Sequence, residues 1–405
     1  MKKFFVTITL AAAAAVALVS CNKENTDPNA LTAYEQSIKT ASEKYIENVV
    51  YATYGSLATA GNNLYQDLLA MKQGGIGKLS QAAIDKACAD FLSARSYWEA
   101  SEAFLYGAAT DFSIDPHIDS WPLDPTRLAN NLRNTATVAD LDKEGAGAID
   151  EVGASALGFH GIEFILFRDG ANRKVAVFKA EETAPEFVGT GVTGEQEIIF
   201  AAAVAEDLRN HLYQLNVSWN PKAPQAQKDV VEELEMNCTV NGTDRTYGEN
   251  FLAASAAGST YASWQEVAKT VLDAGCANIA NEVFSTKMGQ AYSGEDVSYI
   301  ESPYSKKSFA DFKDNILSIQ YSLYGSYGAN TAAEDSFQTF LTANHPGHAA
   351  KLSSALAGAL KALDACLASG VAFVDNPSAA YVGTAIDAIS VLNDALEEAA
   401  AAIAD

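Results

Sequence analysis

AAAVAEDLRNHLYQL, residues 201–215, repeats its apolar side chains at intervals of three and four residues. This spacing places the apolar residues on one face of an α-helix and the charged residues on the other. ALAGALKALDACLAS, residues 355–369, has the same period. Alternation with a period of two, which is typical of strands, is almost absent, and only KVAVFKA (174–180) is expected to be extended. The sequence therefore predicts an all-α fold.

The apolar period predicts eleven helices, which are separated by segments rich in Gly, Pro and Asp. These helices cover residues 31–71, 80–109, 145–168, 195–218, 224–236, 245–257, 261–289, 307–325, 332–343, 348–369 and 378–403. The break NPKAPQ (220–225) is expected to divide an N-terminal bundle, residues 31–220, from a C-terminal bundle, residues 221–405. Because WEASEAFLYG (98–107) and ILSIQYSLYG (316–325) both close a helix with Leu-Tyr-Gly, we expect the two bundles to be related by duplication.

The N-terminus has the features of a secretion signal. Two lysines are followed by an apolar run from Phe4 to Val19, and Leu18-Val19-Ser20-Cys21 resembles the bacterial lipobox. We predict a signal peptide over residues 1–20, lipidation of Cys21 and a polar, flexible tether over residues 21–30. The expected location is the bacterial cell envelope, anchored to the outer membrane on its periplasmic side or at the cell surface.

Charge and cysteine content exclude several classes of function. The net charge of −24 becomes −26 once Lys2 and Lys3 leave with the signal, so phosphates would be repelled and no nucleic-acid partner is expected. Besides Cys21, the chain has Cys88, Cys238, Cys276 and Cys366, widely spaced and without a CxxC pair. This spacing excludes a zinc finger and favours free thiols over disulfides.

Two titratable residues, His160 and Glu163, lie in the apolar stretch GFHGIEFILF (158–167). Positions i and i+3 of a helix are neighbours, so the imidazole and the carboxylate either bind one cation together or pair with each other. Burying an unpaired charge is costly, which requires one of these two arrangements. Gly158 and Gly161 leave space for another helix or a ligand to approach. A cation site and a hydrogen-bonded pair that joins two helices are both open interpretations.

The pattern Gly158-x-His160-x-x-Glu163 resembles the hallmark of the imelysin family, and the resemblance extends over most of the chain. Its supporting segments are VVYATYGSLATAGNNLYQDLLA (49–70), ARSYWEASEAFLYG (94–107), WPLDPTRL (121–128) and ESPYSKKSFADFKDNI (301–316). The resemblance implies two helical bundles related by duplication, a location in the cell envelope and an association with bacterial iron uptake. It also implies a classification among metallopeptidases.

A zinc hydrolase needs about three protein ligands, an open position for water and a general base. HxxE supplies two ligands at most, and the other histidines, His117, His211, His345 and His348, repeat no zincin spacing. Glu102, or else Glu99, is the best candidate for a third ligand, which makes His160, Glu163 and Glu102 the predicted metal ligands. We favour binding of iron, another divalent metal or an iron-bearing small molecule. A zinc-dependent endopeptidase and a structural or interaction lipoprotein are the alternatives.

The segment YSKKSFAD (304–311) contributes further candidates, because Ser308 and Asp311 are typical of a helix N-cap and its acidic first turn. The resemblance implies that this segment faces the GxHxxE helix across a cleft between the bundles. Trp98, Trp121 and Tyr304 either line that cleft or belong to the core. The predicted ligand-binding residues are Gly158, His160, Glu163, Glu102, Trp98, Ser305 and Asp311.

Overall fold

Over residues 30–404, the part of the chain that the computed structural model describes, there are nineteen α-helices and one pair of two-residue strands. The prediction of an all-α fold is confirmed. The predicted signal peptide, the lipidated Cys21 and the tether up to residue 29 lie outside the described residues. The helices are α1 (Ala33–Tyr45), α2 (Tyr51–Gly74), α3 (Gln81–Glu99), α4 (Ala108–Asp111), α5 (Ile114–Ile118), α6 (Pro125–Arg133), α7 (Thr135–Glu144), α8 (Gly158–Leu166), α9 (Val175–Phe178), α10 (Gly194–Trp219), α11 (Gln225–Glu233), α12 (Tyr247–Phe251), α13 (Trp264–Lys269), α14 (Asn278–Asn281), α15 (Gly289–Ser293), α16 (Ser308–Tyr324), α17 (Phe337–Asn344), α18 (Pro346–Ala368) and α19 (Ala380–Ala404). The strands are β1 (Phe167–Arg168) and β2 (Ala171–Asn172), which pair antiparallel.

Three π-helical segments extend the α-helices. Ile46–Val50 joins α1 to α2, whereas Thr270–Ala277 and Glu282–Lys287 connect α13, α14 and the region before α15. Each π turn changes the direction in which the following side chains point, and such turns are frequent at functional sites. Glu282 and Lys287, at the two ends of the last segment, both belong to the site described below.

The main hydrophobic core of the described residues runs from Ile38 in α1 to Ile403 in α19, and a small second cluster contains Val217, Ala223 and Val231. In the N-terminal half, α2 packs against α3 and α10, while in the C-terminal half α18 packs against α16 and α19. Helix α3 packs against α16, and α1 contacts α13 and α17, so elements of both halves share this core. The domain boundary at residue 220 and the duplication stay predictions.

The helix predicted over residues 145–168 is wrong over its first half. Gly145–Glu151 and Ala154–Ala156 are 3₁₀ turns, and the α-helix begins only at Gly158. Gly145, Gly153 and Gly158 have φ values of 55°, 85° and 62°. A right-handed helix cannot continue through such a residue, and glycine adopts this conformation without the strain that a Cβ would cause. Three glycines therefore divide this segment where the apolar period alone suggested one helix.

The extended segment predicted at 174–180 is also wrong, because Val175–Phe178 forms α9. The short strands lie before it, joined by Asp169 and Gly170 with φ values of 50° and 78°. An Asp-Gly pair with positive φ at both positions is a favoured two-residue hairpin loop, since it matches the twist of paired strands. The local turn sequence was therefore a better guide to the strands than the alternation of apolar residues.

The helix predicted over residues 80–109 ends at Glu99, and Glu102–Phe104 forms a separate 3₁₀ turn. Beyond it, helices α5 and α6 occupy much of the predicted break at 111–125 and the unassigned segment that follows. Asp124 caps α6 by accepting a hydrogen bond from the backbone N–H of Arg127, and Pro125 occupies its first position. Pro125 therefore starts a short helix at the end of the segment that was predicted to be a loop.

The cysteines of the described residues are free thiols, as the spacing predicted: Cys88, Cys238, Cys276 and Cys366 form no disulfide. Cys88, Cys276 and Cys366 are buried, and burial raises the pKa of the Cys88 and Cys276 thiols to about 12. Such thiols stay protonated and behave as small apolar side chains. Within residues 30–404, no helix combines the length and apolarity required to cross a membrane.

Candidate functional site

Helix α8, which carries the GxHxxE motif, is buried along its whole length. A Cβ at Gly158 would lie 1.9 Å from the backbone oxygen of Ile118, and a Cβ at Gly161 would lie 2.4 Å from that of Ala156. The two glycines therefore let α8 rest directly against neighbouring backbone, including the last residue of α5. The space predicted beside them is filled by protein, and a ligand contact of Gly158 stays a prediction.

The two motif side chains face the interior of the molecule, with His160 2% and Glu163 0% exposed. His160 Nδ1 is 3.5 Å from Glu163 Oε2, and its Nε2 is 3.1 Å from Asp119 Oδ1. Ser305 donates two hydrogen bonds of 2.7 Å to Glu163 Oε1, one from its backbone N–H and one from its hydroxyl. Burial lowers the pKa of His160, but Asp119 and Glu163 outweigh burial and raise it to about 9. The imidazole is therefore a cation at neutral pH.

Arg95 is the centre of this buried network. Its guanidinium contacts the carboxylates of Glu99 and Asp119, lies 2.6 Å from Glu301 Oε1 and approaches Asp311 Oδ2 to 4.0 Å. Helix α3 supplies Arg95 and Glu99 one turn apart, so both side chains emerge on the same face. The one guanidinium therefore joins carboxylates from the N-terminal half to carboxylates from the C-terminal half.

Asp119 links Arg95 to the motif. Its Oδ2 accepts a 2.7 Å hydrogen bond from the indole N–H of Trp98, while its Oδ1 contacts both Arg95 and His160. Burial alone would raise the pKa of Asp119, but Arg95 and His160 hold it below its usual range. Asp119 is thus an ionised carboxylate with a fixed orientation.

Lys287 is the second permanent cation of the network. Its Nζ lies 3.2 Å from Glu301 Oε1, 3.5 Å from Glu102 Oε1 and 3.8 Å from Glu99 Oε2. Asn315 donates a 2.6 Å hydrogen bond to Glu99. Burial raises the pKa values of Glu99 and Glu102 well above their usual range, although Arg95 and Lys287, respectively, oppose the shift.

A cavity of about 370 Å³ lies beside Lys287. Its acidic lining comes from Glu102, Asp115, Asp119 and Glu282. Burial raises the pKa of Asp115 to about 7, with Asp119 adding to the shift, and it also raises the pKa of Glu282. Trp121 lies on the cavity wall too. The cavity is therefore a polar space in which carboxyl groups hold protons more tightly than they would in water.

Acidic groups outnumber basic ones in the network and the cavity together. The only permanent cations among the described residues in contact with these groups are Arg95 and Lys287, and His160 adds a third positive charge. Glu163 Oε2, Glu301 Oε2 and Asp311 Oδ2 are buried and have no hydrogen-bond donor within residues 30–404. The acidic side chains are Glu99, Glu102, Asp115, Asp119, Glu163, Glu282, Glu301 and Asp311. Some of these groups must be protonated, or a further cation must balance them.

The structure brings most of the predicted site residues into one network. Ser305 contacts Glu163 directly, Trp98 joins through Asp119, and Asp311 joins through Arg95. Glu102 lies on the Lys287 side and faces the cavity, whereas His160 and Glu163 are enclosed. Contact of these residues with a ligand stays a prediction.

One predicted role near this network is different in the structure. Ser308 is the first residue of α16 instead of its N-cap, and its hydroxyl donates to the backbone oxygen of Glu301. The hydroxyl therefore positions the segment that carries Glu301. Tyr304 packs edge-on against Phe164 and is not among the residues that line the cavity.

Sequence reasoning missed the residues that connect the motif to the cavity. These are Arg95, Asp115, Asp119, Glu282, Lys287 and Glu301. A signal existed for two of them, since Arg95 and Glu301 each lie within a segment that resembles the family. Asp115 and Asp119 belong to a stretch interpreted as a loop, and no local pattern connects the distant Glu282 and Lys287 to the motif.

The comparisons with known proteins agree with this fold. The sequence model of peptidase family M75, imelysin, matches residues 50–402. Iron-regulated protein A of Synechococcus elongatus is 24% identical over 354 residues, which cover 87% of this chain and 83% of that protein. A crystal structure from Parabacteroides distasonis, described as an iron-regulated protein A precursor, has a TM-score of 0.73 at 22% identity, covering 93% of this chain and 97% of the other. An imelysin-like protein from Psychrobacter arcticum has a TM-score of 0.54 at 13% identity, covering 92% and 94%. Because the family match extends over most of its length, this chain belongs to the imelysin family.

Proposed function

We propose that this protein binds iron as cargo in the cavity lined by Glu102, Asp115, Asp119 and Glu282, and that it contributes to iron uptake. The observation that carries the proposal is the surplus of carboxyl groups over Arg95, Lys287 and His160. Hard cations prefer oxygen ligands, and a cluster of carboxylates with too few internal counterions has the donor set that they require.

The cavity residues fit a bound cation better than the motif itself does. Asp115, with a pKa of about 7, would lose its proton when a cation approaches, because the positive charge stabilises the carboxylate. Asp119, which also lines the cavity, is already ionised without a bound cation. In this proposal His160 and Glu163 are positioning residues. The imidazole of His160 contacts Asp119 through Nε2 and Glu163 through Nδ1, and Glu163 is itself held by the Ser305 hydroxyl.

Lys287 should help the cavity to release a bound cation. Its ammonium group stands at 3.5 Å from Glu102 and at 3.2 Å from Glu301, so it partly balances the acidic groups when no cargo is bound. An incoming cation and Lys287 repel each other, which limits affinity and favours reversible binding. A cargo carrier requires such a balance, since it must also transfer the ion.

The relatives named for iron regulation support the iron assignment, and the N-terminal sequence supports the location. We infer that Cys21 carries a lipid which anchors the protein in the bacterial cell envelope, where its partners would be the envelope proteins of iron uptake. Two or more acyl chains provide stable anchoring, whereas a single chain is marginal.

The geometry favours binding over hydrolysis. Asp119, His160 and Glu301 are close enough to hold one metal ion, but all three are buried. The Arg95 guanidinium contacts Asp119 and lies 2.6 Å from Glu301, so it occupies the space between these carboxylates. A zinc hydrolase would need that position for its metal and an open position for water.

Anaerobic calorimetric titration with Fe²⁺ tests the proposal. We expect Asp115→Asn and Glu282→Gln each to weaken binding at least tenfold, because each removes one charged oxygen donor from the cavity. Asp314→Asn is the matched control. The partly buried Asp314 carboxylate accepts a 2.8 Å hydrogen bond from the Ser96 hydroxyl and does not line the cavity, so this variant should bind Fe²⁺ with wild-type affinity. Equal Fe²⁺ affinity in both cavity variants and the wild type would contradict the proposal.

A further inference from the structure

Two histidines and an aspartate converge on the side of α5 that faces α10. His117 Nε2 lies 2.8 Å from Asp207 Oδ2, and His211 Nδ1 lies 3.4 Å from Asp207 Oδ1. The two imidazole rings are 4.3 Å apart between centroids and tilted by 38°. The His117 side chain is 27% exposed, that of His211 18% and that of Asp207 7%, so solvent reaches the cluster.

The helices dictate this arrangement. Asp207 and His211 are four residues apart on α10, which places both side chains on one face. Asp115 and Asp119 are likewise one turn apart and line the carboxylate-rich cavity. His117 is two residues from each of them, so it projects from the other side of α5. A single short helix therefore separates two clusters of ligand-type side chains.

The chemistry of this second cluster differs from that of the cavity. Two imidazoles and one carboxylate form a donor set that suits zinc and other divalent transition metals, and three protein ligands leave coordination positions for water. Within the described residues, no Lys or Arg nitrogen lies within 4.0 Å of the Asp207 carboxylate, whose only ion-pair partners are His117 and His211. A metal ion that binds here would therefore displace only protons from the histidines, and it would not have to displace a Lys or Arg side chain.

The orientation of His211 is already fixed. Its Nδ1 donates a 3.0 Å hydrogen bond to the backbone oxygen of Asp207, which leaves Nε2 as the nitrogen with a free lone pair. Metal-binding histidines commonly donate their other N–H to a carbonyl in this manner. Candidate ligand atoms of the three side chains all lie within 4.8 Å of one another. A bound metal would lie about 2.1 Å from each ligand, so the side chains would move closer together on binding it.

We propose that His117, Asp207 and His211 form a second metal site, selective for a divalent transition metal of the zinc type and separate from the iron cavity. The site joins α5 to α10 and keeps its open positions towards solvent. Its ligands do not include any residue of the GxHxxE motif.

Cobalt is the probe for the first test, because Co²⁺ bound to imidazole has visible absorption bands that report its ligands. We expect one nitrogen-ligated Co²⁺ per chain, displaced by Zn²⁺. His117→Asn and His211→Asn should each lower the affinity at least tenfold. His345→Asn is the control: His345 bonds to Tyr34 outside the cluster, so its variant should retain full affinity.

The change in Tm on adding Zn²⁺ measures metal binding independently, even in a variant whose own stability is altered. Zn²⁺ should raise the Tm of the wild type and of His345→Asn by more than it raises that of His211→Asn. The absorption bands of nitrogen-ligated Co²⁺ should persist in Asp115→Asn, because Asp115 lines the cavity and is not a ligand of this second site. The proposal is wrong if wild type and His211→Asn bind Co²⁺ with equal affinity, or if bound Co²⁺ shows no nitrogen ligation.

Discussion

The two sides of α5 balance charge in different ways. On the cavity side, Arg95 and Lys287 compensate buried carboxylates, and the side chains of both cations are at most 3% exposed. On the α10 side, the ion-pair partners of Asp207 within residues 30–404 are His117 and His211, and solvent reaches both. Buried ions depend on permanent partners, because water cannot replace a missing partner there. We therefore expect the first cluster to govern stability and the second to tolerate substitution.

Loss of Arg95 is the strongest test of this difference. Arg95→Met keeps most of the side-chain volume but leaves Glu99, Asp119 and Glu301 without their shared cation. Stranding a buried ionic partner costs about 3–5 kcal/mol. We expect a loss of this size in the free energy of unfolding, measured by urea denaturation. A loss below about 1 kcal/mol, typical of exposed ion pairs, would mean that water enters the network.

The charge on His160 should make the same cluster sensitive to pH. Its pKa of about 9 lies above the unfolded value of 6.5, so its stabilisation is complete below pH 6.5 and is lost as pH rises towards 9. The difference corresponds to roughly 3 kcal/mol of stability at pH 6.5. His160→Gln should lose this contribution.

The comparison with His160→Gln separates the contribution of His160 from that of the buried carboxyl groups. Asp115 and Asp311 have pKa values raised to about 7, mainly by burial, so their effect on stability also falls with rising pH but is finished near pH 7. Between pH 7.5 and 9 the wild type should lose about 1.5 kcal/mol more unfolding free energy than His160→Gln. Parallel curves for the two proteins would show that His160 is neutral in the folded state.

Gly158 is the residue at which α8 packs against the end of α5, the helix that separates the two clusters. An alanine Cβ would lie 1.9 Å from the backbone oxygen of Ile118, at a φ of 62°. Strained backbone of this kind costs about 1–3 kcal/mol. Gly158→Ala should lower the free energy of unfolding by at least this amount, because its Cβ also overlaps backbone atoms. Gly55→Ala should not lower it, because a Cβ there would meet no atom of residues 30–404 within 4 Å beyond its chain neighbours and its own helix backbone. Equal stability of the two variants would show that α8 moves freely relative to α5.

The sequence predicted the fold class and the proximity of His160 and Glu163, because both depend on local spacing. Apolar residues at intervals of three and four identified α10 and α18, and HxxE placed His160 beside Glu163. Ser305 entered the prediction through family resemblance and does contact Glu163. Free thiols followed from the spacing of the cysteines.

The remaining site residues depend on long-range packing that local spacing does not encode. Arg95 contacts Glu301 across 206 positions of the chain, and Lys287 contacts Glu102 across 185. His117 and Asp207 are likewise 90 positions apart. Each of these polar residues alone is typical of a solvated helix face, so only the tertiary arrangement shows that they share a site.

The cavity should bind cations more tightly as pH rises. Asp115 must lose its proton to become a ligand, and its pKa is about 7, raised mainly by burial. The deprotonated fraction then increases about tenfold between pH 6 and 8, and affinity should increase by a similar factor. Mn²⁺, which is stable to oxidation in this range, is a suitable probe for titration calorimetry. In Asp115→Asn this dependence should disappear, and an unchanged slope would assign the effect to another group.

The smallest effect is expected for the metal-free protein at the His117 cluster. His211→Asn removes one partner of Asp207, but His117 keeps its 2.8 Å contact and solvent reaches the site. Partly exposed ion pairs contribute about 0–1 kcal/mol. With chelator present, the free energy of unfolding of His211→Asn should therefore stay within about 1 kcal/mol of the wild-type value, far from the loss expected for Arg95→Met. A larger loss would mean that this cluster also serves as a structural link between α5 and α10, so that its two imidazoles are held by the fold and are not available to exchange protons for a metal ion.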